Sequence, residues 1–156
     1  MITLFTMPYK YSKVAIDDIH GSFLPKGIRI LGHILMCKTL IVEDNATFRE
    51  MIKEILHSHF PAMKIEEEPD GSELFNKMDV FHPDIVFMDI RLPGENGLEL
   101  TKKIKANYPG ITVIILSGYD LPEYRQAALQ SKADHFVSKD SKTSDFVALV
   151  ESICPA

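Results

Sequence analysis

Basic residues are in short supply: 17 Lys and Arg stand against 22 Asp and Glu, a formal net charge of -5. That balance argues against a general basic face for nucleic acid or anionic lipid, so direct nucleic-acid binding by this chain is not expected. Long apolar runs are missing too. The most apolar amino-terminal piece, IRILGHILM (28–36), carries Arg29 and His33 and is about half of the ~20 residues that a membrane span needs. The first residues, MITLFTMPYKYSK, have no basic region ahead of their apolar ones, so a secretory signal is not expected and the chain reads as cytoplasmic. Cysteine is scarce, at Cys37 and Cys154, with no Cys-x-x-Cys. Two distant cysteines in a cytoplasmic chain are expected to be free thiols. Of the six histidines only His57 and His59 lie close together, and positions i and i+2 of a helix face different ways, which makes them surface residues rather than a metal pair. There is no glycine-rich turn after the first apolar run, where VEDNAT stands, and a dinucleotide-binding loop has no support.

What is present is the material of one soluble domain. A length of 156 residues with 46% hydrophobic and 25% charged residues suits a single core. Apolar runs rich in Ile and Val occur at KTLIV (38–42), DIVFM (84–88) and TVIIL (112–116), with weaker strand candidates at KIEEE (64–68) and DHFVS (134–138). Continuous apolar runs fit strands buried on both faces, as in a parallel sheet covered by helices. Between them, Phe48, Met51, Ile52, Ile55 and Leu56 recur at helical spacing, and Leu98, Leu100, Thr101 and Ile104 do so less cleanly. Asp70, Asn96 and Asp120 each precede a Glu by three positions, the pattern of a helix cap, and Pro122 fits a first helical turn. The last helix is expected over about 143–153. Five strands alternating with five helices imply an α/β fold, a doubly wound (βα)5 domain with right-handed crossovers. Residues 1–36, with Pro8, Pro25, Gly21, Gly27 and Gly32 and no sustained period, are expected to be a flexible extension, the alternative being a short arm packed on the domain or a partner; residues 37–156 form the domain.

In open α/β sheets, sites form outside the carboxyl ends of the strands. The first strand delivers Glu43 and Asp44 there, the third Asp89, the fourth Ser117, and the fifth runs into Lys139. Three carboxylates in one pocket raise one another's pKa unless a cation compensates. A hard divalent ion such as Mg2+ is the natural answer, since it takes one or two carboxylates with water and phosphate oxygens. A lysine and a hydroxyl would complete a phosphoryl-binding site, in which a carboxylate can act as nucleophile and form an acyl phosphate.

On these residues the stretch 38–153 resembles the receiver domain of two-component response regulators. The acidic pair Glu43–Asp44, Asp89 in FMDIRLPGENG, Ser117, Lys139, and Phe136 three places before it all match, in order and on the expected elements. The resemblance implies a flavodoxin-like (CheY-like) five-stranded parallel sheet of order 2-1-3-4-5. It implies phosphorylation of Asp89 by a sensor histidine kinase, a phosphotransfer protein or a small phosphodonor. Asp44, Asp89 and the backbone carbonyl of Arg91 would ligate Mg2+, with Glu43 acting directly or through water. Lys139 would pair with phosphoryl oxygens, Ser117 would move to bond them, and Phe136 would turn inward. Those moves would bias a surface made by the fourth helix, fifth strand and fifth helix, a candidate partner and homodimer interface. Asp140 stands where many receivers have proline, a variant of the subgroup fused to helix-turn-helix output domains, and a trans Lys139–Asp140 bond is expected.

Each residue also has a plainer reading. Asp44 can cap the first helix, Ser117 can be a turn residue, Lys139 a solvated surface lysine and Phe136 core. Two functional alternatives stand beside the switch, which is not an enzyme in the ordinary sense. One is a receiver-like scaffold that works without phosphorylation. The other is an aspartate-nucleophile phosphatase, which wants a second acid where this chain has Arg91.

Overall fold

The computed structural model describes residues 36–154, so residues 1–35 of the extension expected over 1–36 lie outside the described residues. The chain alternates strand and helix: β1 Lys38–Val42, α1 Ala46–His59, β2 Lys64–Glu68, α2 Leu74–Phe81, β3 Ile85–Asp89, α3 Gly97–Asn107, β4 Thr112–Ser117, α4 Pro122–Gln130, β5 His135–Ser138 and α5 Thr143–Ile153. All pairings are parallel and the sheet order is β2-β1-β3-β4-β5, as expected.

The continuous apolar runs are explained by strand geometry. Successive side chains point to opposite faces, so a strand covered on both sides must be apolar at every position. Leu40, Val42, Val86, Met88, Val113 and Ile115 point to one face, against Leu74 and Met78 of α2, Leu100 and Ile104 of α3 and Ala128 of α4. Ile41, Ile85, Phe87, Ile114 and Leu116 point to the other, against Ile52 and Leu56 of α1 and Phe146 and Val150 of α5. Two and three helices on opposite faces make the sheet doubly wound. β2 is an edge strand, and its alternation of exposed Lys64 and Glu66 with half-buried Ile65 follows from having one covered face.

Helix starts depart from the sequence reading in three of four places. Asn96 caps α3 by accepting from the Leu98 N–H, as expected. Asp70 instead takes the Ser72 N–H at 2.8 Å in the turn before α2, which begins after Glu73 with no side-chain cap. Asp120 is held by two of the guanidinium nitrogens of Arg125, Nε and Nη2, at 2.6 and 2.9 Å, and α4 begins after Leu121. A nearby arginine outbids backbone N–H groups for a carboxylate because the bond is charge-assisted at both ends. Nor does Asp44 cap α1: Asn45 does, accepting from the Phe48 N–H at 3.0 Å, which leaves the aspartate outside the helix.

The cysteines also differ from expectation. Cys37 and Cys154 are not free thiols but a disulfide, with Cα atoms 6.0 Å apart. Sequence separation hid the pairing, since β1 and α5 are the first and last elements of the domain. The fold brings them together because α1 and α5 share one face of the sheet. No peptide bond among the described residues is cis, so Lys139–Asp140 is trans, as expected.

Candidate functional site

The sheet order reverses between β1 and β3, and there the loops after the two strands part to leave a crevice. Asp89 is the last residue of β3, a strand buried throughout, and its side chain remains 8% exposed. The approach of α3 holds it in place. Gly97, the first residue of α3, lies so close to the Asp89 carbonyl that a Cβ there would collide with it. The Gly97 N–H also bonds the Ile90 carbonyl at 3.0 Å. The glycine that closes the LPGENG stretch is therefore needed for close approach rather than for an unusual dihedral.

Glu43 and Asp44 divide the work of an acidic pair. Glu43 is fully buried, whereas Asp44 is exposed. One carboxylate oxygen from each of Glu43, Asp44 and Asp89 falls within 4.8 Å of the others. The compensating cation is Lys139, which follows β5. Its ammonium lies 2.6 Å from Glu43 Oε2 and 3.1 Å from Asp89 Oδ1, over the Phe48 ring at 4.7 Å. The other Glu43 oxygen accepts the Asn45 N–H at 3.2 Å. Burial pushes the Glu43 carboxyl above its ordinary range; the Lys139 bond opposes this and the nearby Asp89 charge adds to it. Asp89 is raised for the same first reason, with Lys139 opposing, Asp44 adding and the Arg91 backbone N–H easing it. One ammonium thus serves two buried carboxylates with a third charge alongside. A divalent cation fits this donor set, because carboxylate oxygens converge without enough positive charge to balance them.

Ser117 and Phe136 sit near this centre without joining it. The buried Ser117 hydroxyl is occupied by its own turn, donating to the Tyr119 carbonyl at 3.0 Å and accepting the Tyr119 N–H at 3.1 Å. Phe136 is half-buried, packed on the α2–α3–α4 side of the core with the Arg125 guanidinium over its ring at 4.7 Å. Arg91, exposed, lays its guanidinium over Tyr119 at 4.2 Å, and Tyr119 stacks on Tyr124. Three supporting residues escaped the sequence reading. Phe48 carries the lysine, Arg49 binds the Glu43 carbonyl at 2.6 Å, and Glu68, at the end of β2, is a further buried acid at this rim, neutralised by Lys77 at 3.0 Å. Glu68 had a signal, the end of a strand, but no local mark to show which side chain would meet it.

Comparison with known proteins agrees with this geometry. Residues 39–151 match the family model described as the response regulator receiver domain. The transcriptional regulatory protein DegU of Brevibacillus brevis is 30% identical over 73% of this chain and 47% of its own length. LnrK of Bacillus subtilis, also a transcriptional regulatory protein, is 31% identical over 76% of this chain and 54% of its own. The chain therefore spans about half the length of these curated relatives. Among solved structures, a CheY-like receiver domain protein from Methanospirillum hungatei aligns with a TM-score of 0.68 and 26% identity, over 75% of this chain and 92% of that one. A LuxR-family two-component response regulator from Aurantimonas aligns with a TM-score of 0.70 and 25% identity, over 76% and 85%.

Proposed function

Because the chain belongs to the response regulator receiver family of two-component systems, we propose that it is an Mg2+-dependent phosphoryl acceptor whose nucleophile is Asp89 and whose donor is a sensor histidine kinase, a phosphotransfer protein or a small phosphodonor. The observation that carries this reading is the shared lysine: Lys139 reaches Asp89 and Glu43, two of the three converging carboxylates. Asp44, Asp89 and the Arg91 carbonyl are the assigned protein ligands, with Glu43 acting directly or through water. When bound, Mg2+ supplies the positive charge that lets a phosphoryl group approach an acidic pocket.

The remaining chemistry belongs to the chain's own side chains. A carboxylate oxygen of Asp89 attacks phosphorus, an O–P bond forms, and the N–P bond to the donor imidazole breaks, so the leaving group departs with the electron pair. Lys139 gives up part of its bond to Asp89 and follows the transferred negative charge. Ser117 must exchange its Tyr119 partners for a phosphoryl oxygen. That exchange frees the loop before α4, Phe136 moves inward, and the α4–β5–α5 surface that docks a partner or a second copy is biased. The product is a signalling state, and the only catalysis is the chain's own phosphorylation and hydrolysis. A cytoplasmic location goes with a kinase donor of this kind; among the described residues no helix is long and apolar enough to cross a membrane.

The test is intact mass after incubation with a small phosphodonor and Mg2+, on wild type and Asp89→Asn. One added phosphoryl group that needs Mg2+ and disappears in the variant is expected. A folded, Mg2+-binding protein that neither gains mass nor binds a non-hydrolysable phosphate mimic would favour the phosphorylation-independent scaffold.

A further inference from the structure

The site just described lies at the carboxyl ends of the strands; the disulfide lies at the opposite rim. Cys37 directly precedes β1, and Cys154 directly follows α5, which runs back from the carboxyl end of β5 to the amino edge of the sheet. Both cysteines are half-buried against the α1–α5 side of the core, so neither residue is sealed in the interior. Their backbones differ in rigidity. Cys37 is held by the sheet, its carbonyl accepting the Lys64 N–H at 3.0 Å. Cys154 is the cap residue of α5, fixed to the helix by one bond, from its N–H to the Val150 carbonyl at 2.8 Å. The disulfide therefore ties the end of the last helix, otherwise free to fray, to the start of β1, a strand paired on both sides.

We propose that Cys37 and Cys154 are a reversible thiol–disulfide site, exchanging with low-molecular-weight disulfides of the glutathione type, and that oxidation staples α5 to β1. In the reduced protein the two thiols sit on elements held together by core packing alone. The Ile52, Leu56, Phe146 and Val150 contacts keep α1 and α5 on the sheet and the two sulfurs within reach. One cysteine thiolate attacks a sulfur of the small disulfide, which breaks and releases one small thiolate. The second cysteine thiolate then attacks the protein sulfur of the mixed disulfide and releases the other. Two electrons and two protons leave the protein thiols and reside on two small thiols, so nothing is unbalanced. The pairing spans 117 residues and so encloses almost the whole domain, the arrangement in which a cross-link removes most freedom from the unfolded chain. This site is independent of Asp89 and stands whether or not the chain accepts a phosphoryl group.

The experiment equilibrates the whole chain across a series of reduced-to-oxidised glutathione ratios. Free thiols are then trapped with an alkylating reagent and read by intact mass, with the thermal midpoint measured at each end. The expected result is one transition between doubly alkylated and unalkylated monomer, with the oxidised form melting roughly 5–15 °C higher. Cys37→Ser and Cys154→Ser should each stop at the mixed disulfide with glutathione and lose the redox dependence of the midpoint. Thiols that stay alkylatable in the most oxidising mixture would overturn the proposal. So would a disulfide that resists the most reducing one, a cross-linked dimer, or equal midpoints for the two forms. Because wild type is compared with itself, the outcome does not depend on either variant folding.

Discussion

Asp84 and Asp89 stand at the two ends of β3, five residues apart in the same stretch, and their surroundings could hardly differ more. Asp84 enters the strand, and its carboxylate accepts the Lys38 N–H at 3.0 Å, tying β3 to the start of β1. Asp134 does the same at the start of β5, taking the Val113 N–H at 2.8 Å with the Lys105 ammonium beside it. At this amino rim acids meet backbone donors and cations. At the carboxyl rim Asp89 meets Glu43 and Asp44, and the nearby ammonium of Lys139 is shared. An aspartate ahead of a strand here is mortar, whereas the one behind it is held among other acids with too little positive charge to balance them. Under-compensation costs stability, and it is the condition for binding a cation and a phosphoryl group.

The strongest way to break this contrast is to remove the shared cation. Lys139→Met leaves Glu43 buried with the Asn45 N–H as its remaining hydrogen-bond donor, and is expected to cost about 2–3 kcal/mol at neutral pH, less than for a wholly buried pair because the lysine reaches solvent. Urea unfolding measures it. Adding Glu43→Gln should recover a good part of the loss, since the orphaned charge is then gone. Full stability in Lys139→Met alone would show that the rim is not under-compensated.

Asp84, just before β3, and Asp89, its last residue, should respond in opposite directions. Asp84→Ala leaves the Lys38 N–H without its acceptor and is expected to destabilise by about 1–2 kcal/mol. Asp89→Asn, in the absence of Mg2+, should raise the thermal midpoint while abolishing phosphoryl acceptance. Acidity sharpens the difference. Glu43 and Asp89 titrate above their ordinary values of 4.5 and 3.8 in the folded state. The folded protein therefore holds protons that the unfolded chain has released. The metal-free stability they govern is greatest below those ordinary values and declines as pH rises through the folded-state ones. Mg2+ should offset the decline, raising the midpoint more near neutral pH than in mild acid. A midpoint that Mg2+ shifts equally at both would argue against carboxylate ligation.

Much of this was readable in the chain, for identifiable reasons. Strands buried on both faces advertise themselves as unbroken Ile and Val runs, and Glu43, Asp44, Asp89, Ser117 and Lys139 occupy strand ends, which the topology gathers automatically. What could not be read depends on partners chosen in three dimensions. Arg125 captures Asp120 and makes it useless as a cap, Lys77 neutralises Glu68, and Cys154 returns to Cys37 only because α5 lies beside α1. The same limit applies to the acidic pair. Two adjacent acids look alike in sequence, yet one is sealed under Lys139 and its neighbour is open to solvent.

The smallest expected effect separates structure from charge within a single residue. Asn45 serves the site twice: its side chain caps α1, and its backbone N–H donates to Glu43. Asn45→Ala removes only the cap and should cost about 1 kcal/mol, with phosphoryl acceptance by Asp89 retained. Asn45→Asp keeps a good cap but brings another carboxylate to a rim that already holds three around one lysine. If the cap were all that mattered, the aspartate variant would match wild type under every condition. The crowded rim predicts otherwise: a deficit at neutral pH without metal, which closes when Mg2+ is added or when the pH falls far enough to protonate the cluster. Thermal midpoints of the two variants, with and without Mg2+ at both pH values, distinguish a helix that has lost its cap from a pocket that has gained a charge.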